Sequence, residues 1–296
     1  MLDDNNFNNP VRIVRVDLIN GSDKDFEEFI PEEVLNLLKR DIKNGGRSKC
    51  STNSSTETEE KQEKISFDFK MTNCNQDLKI LTQKLKKSKH KNYGLLLYGI
   101  SGSGKSYYGQ YLAQELHMPF IKKRASDLMA KYVGETEQNI AAAFEEAREK
   151  KAVLLLDEAD SFLFDRRYAD RDFEAAHVNE MLTQMESHQY PFIMTTNLKD
   201  KIDPASMRRF VFKISFEYMN KENIKAGLKT YFGKNIKFTD DQYQKLEYLT
   251  AGDFKIAKRK LDILEDSKYT SQNVFEYLLA EQNEKGLNKG SMAINL

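Results

Sequence analysis

Gly99-Ile100-Ser101-Gly102-Ser103-Gly104-Lys105-Ser106 fits the pattern G-x-x-x-x-G-K-[ST] at every specified position. Its flanks supply the context that pattern requires. The β-prone run Leu95-Leu96-Leu97-Tyr98 precedes it, and residues 107–116 follow with helical spacing. A strand, a glycine-rich turn and a helix in that order make an anion site, because glycines let backbone N–H groups turn inward onto phosphate oxygens while the helix presents the positive end of its dipole. Lys105 is placed to reach the β and γ phosphates and Ser106 to offer an oxygen to Mg²⁺. The stretch therefore predicts ATP and Mg²⁺ as ligands, with Gly99, Ser101, Gly102, Ser103, Gly104, Lys105, Ser106 and Tyr107 as nucleotide contacts. The competing reading is a glycine-rich turn that binds nothing; Lys and Ser in register argue against it.

Two further runs end in polar side chains. Val153-Leu154-Leu155-Leu156-Asp157-Glu158-Ala159-Asp160 is an apolar strand terminating in acids. Beside a phosphate loop in a parallel sheet, Asp157 is expected to hold the metal and Glu158 to orient and deprotonate the attacking water. Taken alone, such an end is as often a solvated edge or a helix cap. Phe192-Ile193-Met194-Thr195-Thr196-Asn197 ends the same way, and Asn197 is expected to sense the γ phosphate, although an Asn after a strand is commonly just a turn residue.

Short apolar runs at 94–98, 119–121, 153–156, 192–195 and 210–216 alternate with helically spaced segments. This predicts an α/β fold, a P-loop parallel sheet flanked by helices. Ile140, Phe144 and Ala147, behind Gly134-Glu135, mark one such helix with a single apolar face. Beyond Tyr218 the strand pattern stops, and amphipathic spacing over 221–232, 239–249, 254–264 and 271–283 predicts a C-terminal all-helical lid, with a capping-box pair at Thr239 and Gln242. Upstream, residues 11–19 are β-prone and 26–42 have helical periodicity, with Pro31 where a helix could start. Residues 44–64 are rich in Gly, Ser, Thr, Asn and Glu and nearly devoid of apolar side chains, the composition of a linker. The expected division is thus a small N-terminal element over 1–43, a linker over 44–64, a nucleotide-binding domain over 65–218 and a helical lid over 219–296.

Composition narrows the partners. Lys+Arg and Asp+Glu balance at 46 each over 296 residues, so no global charge draws the chain to nucleic acid or an anionic membrane. Cys50 and Cys74 have no metal-type spacing, which favours a reducing, cytoplasmic setting. No cationic-then-apolar leader pattern opens the sequence, and the apolar runs are too short to span a bilayer, so a soluble protein without membrane partners is expected.

With the three runs in order, residues 66–285 resemble the AAA+ ATPase superfamily, and within it the AAA proteins proper. Leu128-Met129-Ala130-Lys131-Tyr132-Val133-Gly134-Glu135-Thr136-Glu137 looks like that family's first pore loop and the helix behind it, which implies that Tyr132 and Val133 face a central channel. Ile202-Asp203-Pro204-Ala205-Ser206-Met207-Arg208-Arg209-Phe210 looks like the segment that delivers arginine fingers to a neighbouring subunit, a role that falls to Arg208 and Arg209. Ala251-Gly252-Asp253-Phe254 resembles the turn at which the lid approaches the nucleotide, adding Gly252 and Asp253 to the implied contacts. The resemblance also implies a homo-oligomeric ring, usually a hexamer, acting on a protein substrate. The longer Arg-Pro-Gly-Arg-Phe-Asp-Arg form of the finger segment is absent, and the short Arg-Arg-Phe version is similar to that of single-ring severing and disassembly ATPases. The lid turn lacks the Ala that many relatives insert after its Gly.

The function expected from these features is an ATP-hydrolysing ring motor that remodels, unfolds or disassembles proteins by threading them through a pore. A switch-like ATPase regulating a partner is the alternative. Asp157-Glu158-Ala159-Asp160 also spells the name of a helicase family, whose members need a second RecA-like domain that nothing after Asp160 provides. A small-molecule kinase leaves the pore-like loop and Arg208-Arg209 unexplained, and a non-hydrolysing scaffold is at odds with Glu158. The basic run over 84–91, with His90 inside it, has no interleaved aromatic for base stacking, which argues against nucleic acid.

Overall fold

The computed structural model describes residues 65–164, 172–198, 202–264 and 269–286, all within one unit, Glu63–Leu296. The expected N-terminal element over 1–43 and the linker over 44–64 lie outside the described residues.

Six strands form one sheet: β1 Asn73–Cys74, β2 Gly94–Gly99, β3 Phe120–Arg124, β4 Val153–Asp157, β5 Phe192–Thr196 and β6 Phe212–Glu217, in the spatial order β1-β6-β2-β5-β4-β3. Strands β2 to β6 run parallel, and the central β2, β4 and β5 have the near-continuous apolar character of strands covered on both faces. Helices cover the two faces: α1 Leu78–Lys87, α2 Lys105–Glu115, α3 Ala125–Leu128, α4 Glu135–Glu149, α5 Asp160–Leu163, α6 Asp172–Ser187 and α7 Pro204–Arg209. Side chains alternate between the faces with period 2. Leu95, Leu97, Val153, Leu155 and Ile193 pack with Leu81, Tyr108 and Leu112. Leu96, Leu154, Leu156, Phe192 and Met194 pack on the opposite face with Ile140, Phe144 and Met181. Helix α2 approaches the sheet closely: a Cβ at Gly109 would lie 2.4 Å from Leu155 Cδ1.

The all-parallel expectation is corrected at one edge, where β1 pairs antiparallel with β6 through Asn73↔Glu217 and Cys74↔Phe216. Two residues are too few for a periodicity to register, and long-range bonds hold them, including Asn73 Nδ2 to the Tyr218 carbonyl at 2.8 Å. The strand expected over 119–121 continues to Arg124, and the one expected over 210–216 starts only at Phe212, because Phe210 caps the preceding helix.

The C-terminal helices α8 Lys221–Phe232, α9 Asp240–Lys245, α10 Ala251–Leu264 and α11 Ser271–Asn283 enclose their own core around Phe232, Phe254, Leu261 and Leu278. The capping box is present, with Gln242 N donating to Thr239 Oγ1 and Thr239 N to Gln242 Oε1 at 2.9 Å. The helix expected to reach 249 stops at Lys245, since Leu246 leaves helical geometry. The turn expected at 251–254 is instead the first turn of α10. Asp253 begins that helix early by accepting the Thr250 N–H through Oδ2 at 2.6 Å. Among the described residues no helix is long and apolar enough to cross a membrane.

A strap at 65–72 ties the two layers together. Ile65 exchanges hydrogen bonds with the Gln114 amide on α2, and Phe67 packs among Tyr107, Tyr108 and Tyr111. Four residues after Phe67, Met71 joins the core of the C-terminal helices, while Asn223 Nδ2 on α8 donates to the Lys70 carbonyl at 2.8 Å.

Candidate active site

Parallel pairing sets Tyr98 against Thr196 and Leu156 against Met194, so the C-terminal ends of β2, β4 and β5 emerge side by side. That edge is where open parallel sheets bind ligands. Gly99, Gly102 and Gly104 have φ of 117°, 74° and 97°, the left-handed region that side chains resist. At Gly99 a Cβ would also meet the Phe216 carbonyl oxygen at 2.1 Å. The loop thus turns back on itself and delivers Lys105 as the first residue of α2. The Lys105 ammonium donates to the Gly99 carbonyl at 2.9 Å, the Ile100 carbonyl at 2.8 Å and Asn197 Oδ1 at 2.8 Å. Burial lowers its pKa to about 8, against the opposing pull of Asp157 and Asp160.

Asp157 is the hub of the polar contacts. Ser106 Oγ donates to its Oδ1 at 2.6 Å and Thr195 Oγ1 donates to the same oxygen at 2.5 Å. Lys122 Nζ, from β3, lies 2.7 Å from Oδ2. Burial alone would raise the Asp157 pKa, but the bonds from Lys122, Ser106 and Thr195 outweigh it and hold the carboxylate below its usual range. Glu158 sits at φ 57°, a left-handed conformation that costs about 1 kcal/mol for a side chain with a Cβ. Its N–H donates to Thr195 Oγ1 at 3.0 Å and its side chain is exposed. Thr196 Oγ1 in turn donates to Asp160.

Residues 101–107 line one cavity of about 270 Å³ together with Asp157, Glu158, Thr195, Thr196 and Asn197. Three of the expected nucleotide contacts do not face it. Gly99 supplies the carbonyl that receives Lys105. The Gly252 N–H is taken by the Gly102 carbonyl at 2.9 Å, which fastens α10 to the loop. Asp253 is a correction: its buried carboxylate is occupied by Thr250 and by the Lys285 ammonium at 2.6 Å, so it starts a helix and closes an ion pair without reaching the cavity.

Tyr132, Val133, Arg208 and Arg209 also stand apart from this cavity. Tyr132 and Val133 are 73% and 90% exposed on a loop pinned at both ends by Ala130 N to Thr136 Oγ1 and Asn139 Nδ2 to the Leu128 carbonyl, each 3.0 Å. The two arginines end α7, which Asp203 caps through the Ala205 N–H. They differ. Arg209 is tied back to the Ala205 carbonyl and to Glu186, whereas Arg208 is exposed and has no partner among the described residues. Sequence reasoning passed over Thr195 and Lys122. Thr195 is an ordinary polar end to an apolar strand, and only the β4–β5 register brings it to Asp157. Lys122 lay just past the expected end of its strand.

Residues 95–218 match the ATPase family associated with various cellular activities (AAA). These residues form a domain of the AAA+ ATPase superfamily. An uncharacterised protein, ORF529, of Acidianus two-tailed virus is 35% identical over 161 residues, which is 49% of this chain and 30% of the relative. A cell division cycle protein 48 homolog of Archaeoglobus fulgidus is 33% identical over 166 residues, 54% of this chain and 23% of the relative. Spastin of Xenopus laevis is 31% identical over 167 residues, 54% of this chain and 28% of the relative. The matched segment thus spans less than a third of the length of each of these relatives. At the level of the family, the AAA domain carries nucleotide binding and ATPase activity.

Proposed function

We propose that this chain hydrolyses ATP in the cavity at the ends of β2, β4 and β5 and, as one subunit of a homo-oligomeric ring, remodels protein substrates. The observation that carries the reading is the meeting of Lys105, Ser106, Asp157, Glu158 and Asn197 around a single opening. The residues present fit ATP and Mg²⁺. Left-handed glycines aim the loop, an ammonium already held by three oxygens stands ready to exchange them for phosphate, and Ser106 Oγ and Asp157 Oδ1 form a pair of hard oxygens suited to Mg²⁺. Mg²⁺, when bound with the nucleotide, neutralises charge on the phosphoryl oxygens.

In this reading Lys105 grips the phosphates and hands its bond with Asn197 over to the γ phosphate, which frees Asn197 to position water. Glu158, raised on its left-handed turn, accepts the proton of the attacking water. Thr195 keeps Asp157 and the Glu158 backbone in place through one hydroxyl. Arg208, without a partner among the described residues, completes a neighbour's site and stabilises transition-state charge; Arg209 positions the helix that presents it. Tyr132 and Val133 offer apolar contact to an extended polypeptide without reading its sequence.

The test separates binding from hydrolysis. Lys105→Ala is expected to lose affinity for a fluorescent ATP analogue, whereas Glu158→Gln retains it and turns over about 10²–10⁴-fold more slowly. Equal turnover by Glu158→Gln and the unaltered chain would remove Glu158 from the chemistry.

A further inference from the structure

The helical layer has a concavity of its own, about 510 Å³ in volume, that shares no lining residue with the nucleotide cavity. Lys221, Lys225 and Lys229 follow one another at i, i+4 and i+8 along α8 and so stand on one face of it. Gly233, at φ 90°, ends that helix and turns the chain, after which Lys234 and Lys237 complete the rim. Ile236, Phe238 and Tyr243 supply apolar surface between the lysines. Five ammonium groups thus meet a single lining carboxylate, Asp240, in a chain whose charges otherwise balance at 46 and 46.

Such a cluster is not self-satisfied. Lys221 pairs with Asp240 at 2.6 Å and Lys225 with Glu222 at 2.7 Å, but the ammonium groups of Lys229, Lys234 and Lys237 have no partner among the described residues. Lysines spaced i, i+4 repel one another and weaken a helix unless anions answer them. We propose that this lysine-rimmed concavity docks an acidic segment of a partner protein, its carboxylates on Lys229, Lys234 and Lys237 and one apolar side chain against the Phe238 and Tyr243 floor. Charge complementarity chooses an acidic partner, and the floor chooses a peptide over a nucleic acid. Phe238 and Tyr243 are the two aromatics of the lining, and the Tyr243 ring already has Lys221 and Lys225 over it, at 5.4 and 5.9 Å, too little open aromatic surface for the successive base stacking a nucleic acid uses. A leucine or phenylalanine between glutamates uses rim and floor together. The site is independent of the ATPase reading and would recruit either a substrate or an adaptor.

The full chain is titrated against a fluorescein-labelled peptide of glutamates around one central leucine, read by anisotropy. Binding is expected, weakening as ionic strength rises. The variant Lys229→Glu/Lys234→Glu/Lys237→Glu should lose at least about tenfold in affinity while melting like the unaltered chain, and Lys229→Arg/Lys234→Arg/Lys237→Arg should retain it. A peptide with serine in place of its leucine should bind about tenfold more weakly. No binding, equal binding by the charge-reversed variant, or indifference to the central leucine each overturns the proposal. Tighter binding of a single-stranded oligonucleotide than of the peptide overturns it in favour of nucleic acid.

Discussion

Replacing His188 by leucine removes a fully buried imidazole with no hydrogen-bond partner for either nitrogen among the described residues. Phe144 meets it edge-on at 5.2 Å, with Tyr190 and Phe192 alongside. Burial, helped by the charge of Arg148, lowers its pKa from 6.5 to about 4. The neutral ring is the form the fold accepts. Between those two values the unfolded chain binds the extra proton, so the contribution of His188 to stability is whole above pH 6.5 and is lost as pH falls towards 4. The full gap is worth about 3 kcal/mol, of which about 2 kcal/mol is lost between about pH 7.5 and about pH 5. At the higher pH, losing the contact with Phe144 costs about 1 kcal/mol and releasing two unpaired nitrogens returns about as much, leaving the leucine variant near neutral. Urea denaturation of both proteins at both pH values isolates the effect, because carboxylates common to the two cancel in the difference. The unaltered chain should lose about 2 kcal/mol more than His188→Leu on acidification. Equal losses would show that the ring takes up its proton without leaving the core, and would refute the argument.

Arg208→Ala is expected to lower ATP turnover by about 10³ with an unchanged melting temperature; mixing it with Glu158→Gln subunits should restore part of the turnover, and full activity of a monomeric Arg208→Ala sample would rule out a finger. Arg209→Ala, which cuts the ties to Glu186 and the Ala205 carbonyl, should instead cost about 1 kcal/mol of stability by chemical denaturation. Lys122→Met removes a cation that competes for Asp157 and should tighten Mg²⁺ binding to the nucleotide complex up to about fivefold by calorimetric titration, the scale of a half-exposed ion pair; weaker binding would mean that Lys122 helps to build the metal site. Tyr132→Ala should leave stability and basal hydrolysis intact, since the ring is 73% exposed, while remodelling of a bound protein stops; extraction at an unchanged rate would favour a switch acting through its outer surface.

Local patterns were enough for much of this protein. The loop from Gly99 to Ser106 could be read because its backbone conformation needs glycine at set positions and its chemistry needs Lys and Ser at others. Each requirement is met within eight consecutive residues. The buried parallel strands were legible for a similar reason, since covering both faces leaves an unbroken apolar run. Strand ends were less so. Phe210 is as apolar as a strand residue but caps a helix, and a lysine in β3 hides a strand that continues past Ile121.

What only the tertiary structure decided are the facts that depend on which residues become neighbours across the fold. Thr195 is an ordinary polar strand end until the register of β4 and β5 sets it against Asp157. Arg208 and Arg209 stand side by side in sequence, and Glu186, 23 residues from Arg209, ties that one down while Arg208 has no partner among the described residues. Asp253 passes for a nucleotide contact until Lys285 claims it. Lys229, Lys234 and Lys237 read as scattered surface charge until the turn at Gly233 gathers them around one concavity. The chemistry of a loop is written in adjacent residues because short-range backbone sterics dictate it. The partner of a carboxylate or a guanidinium is set by packing, and packing brings together residues that the sequence keeps apart.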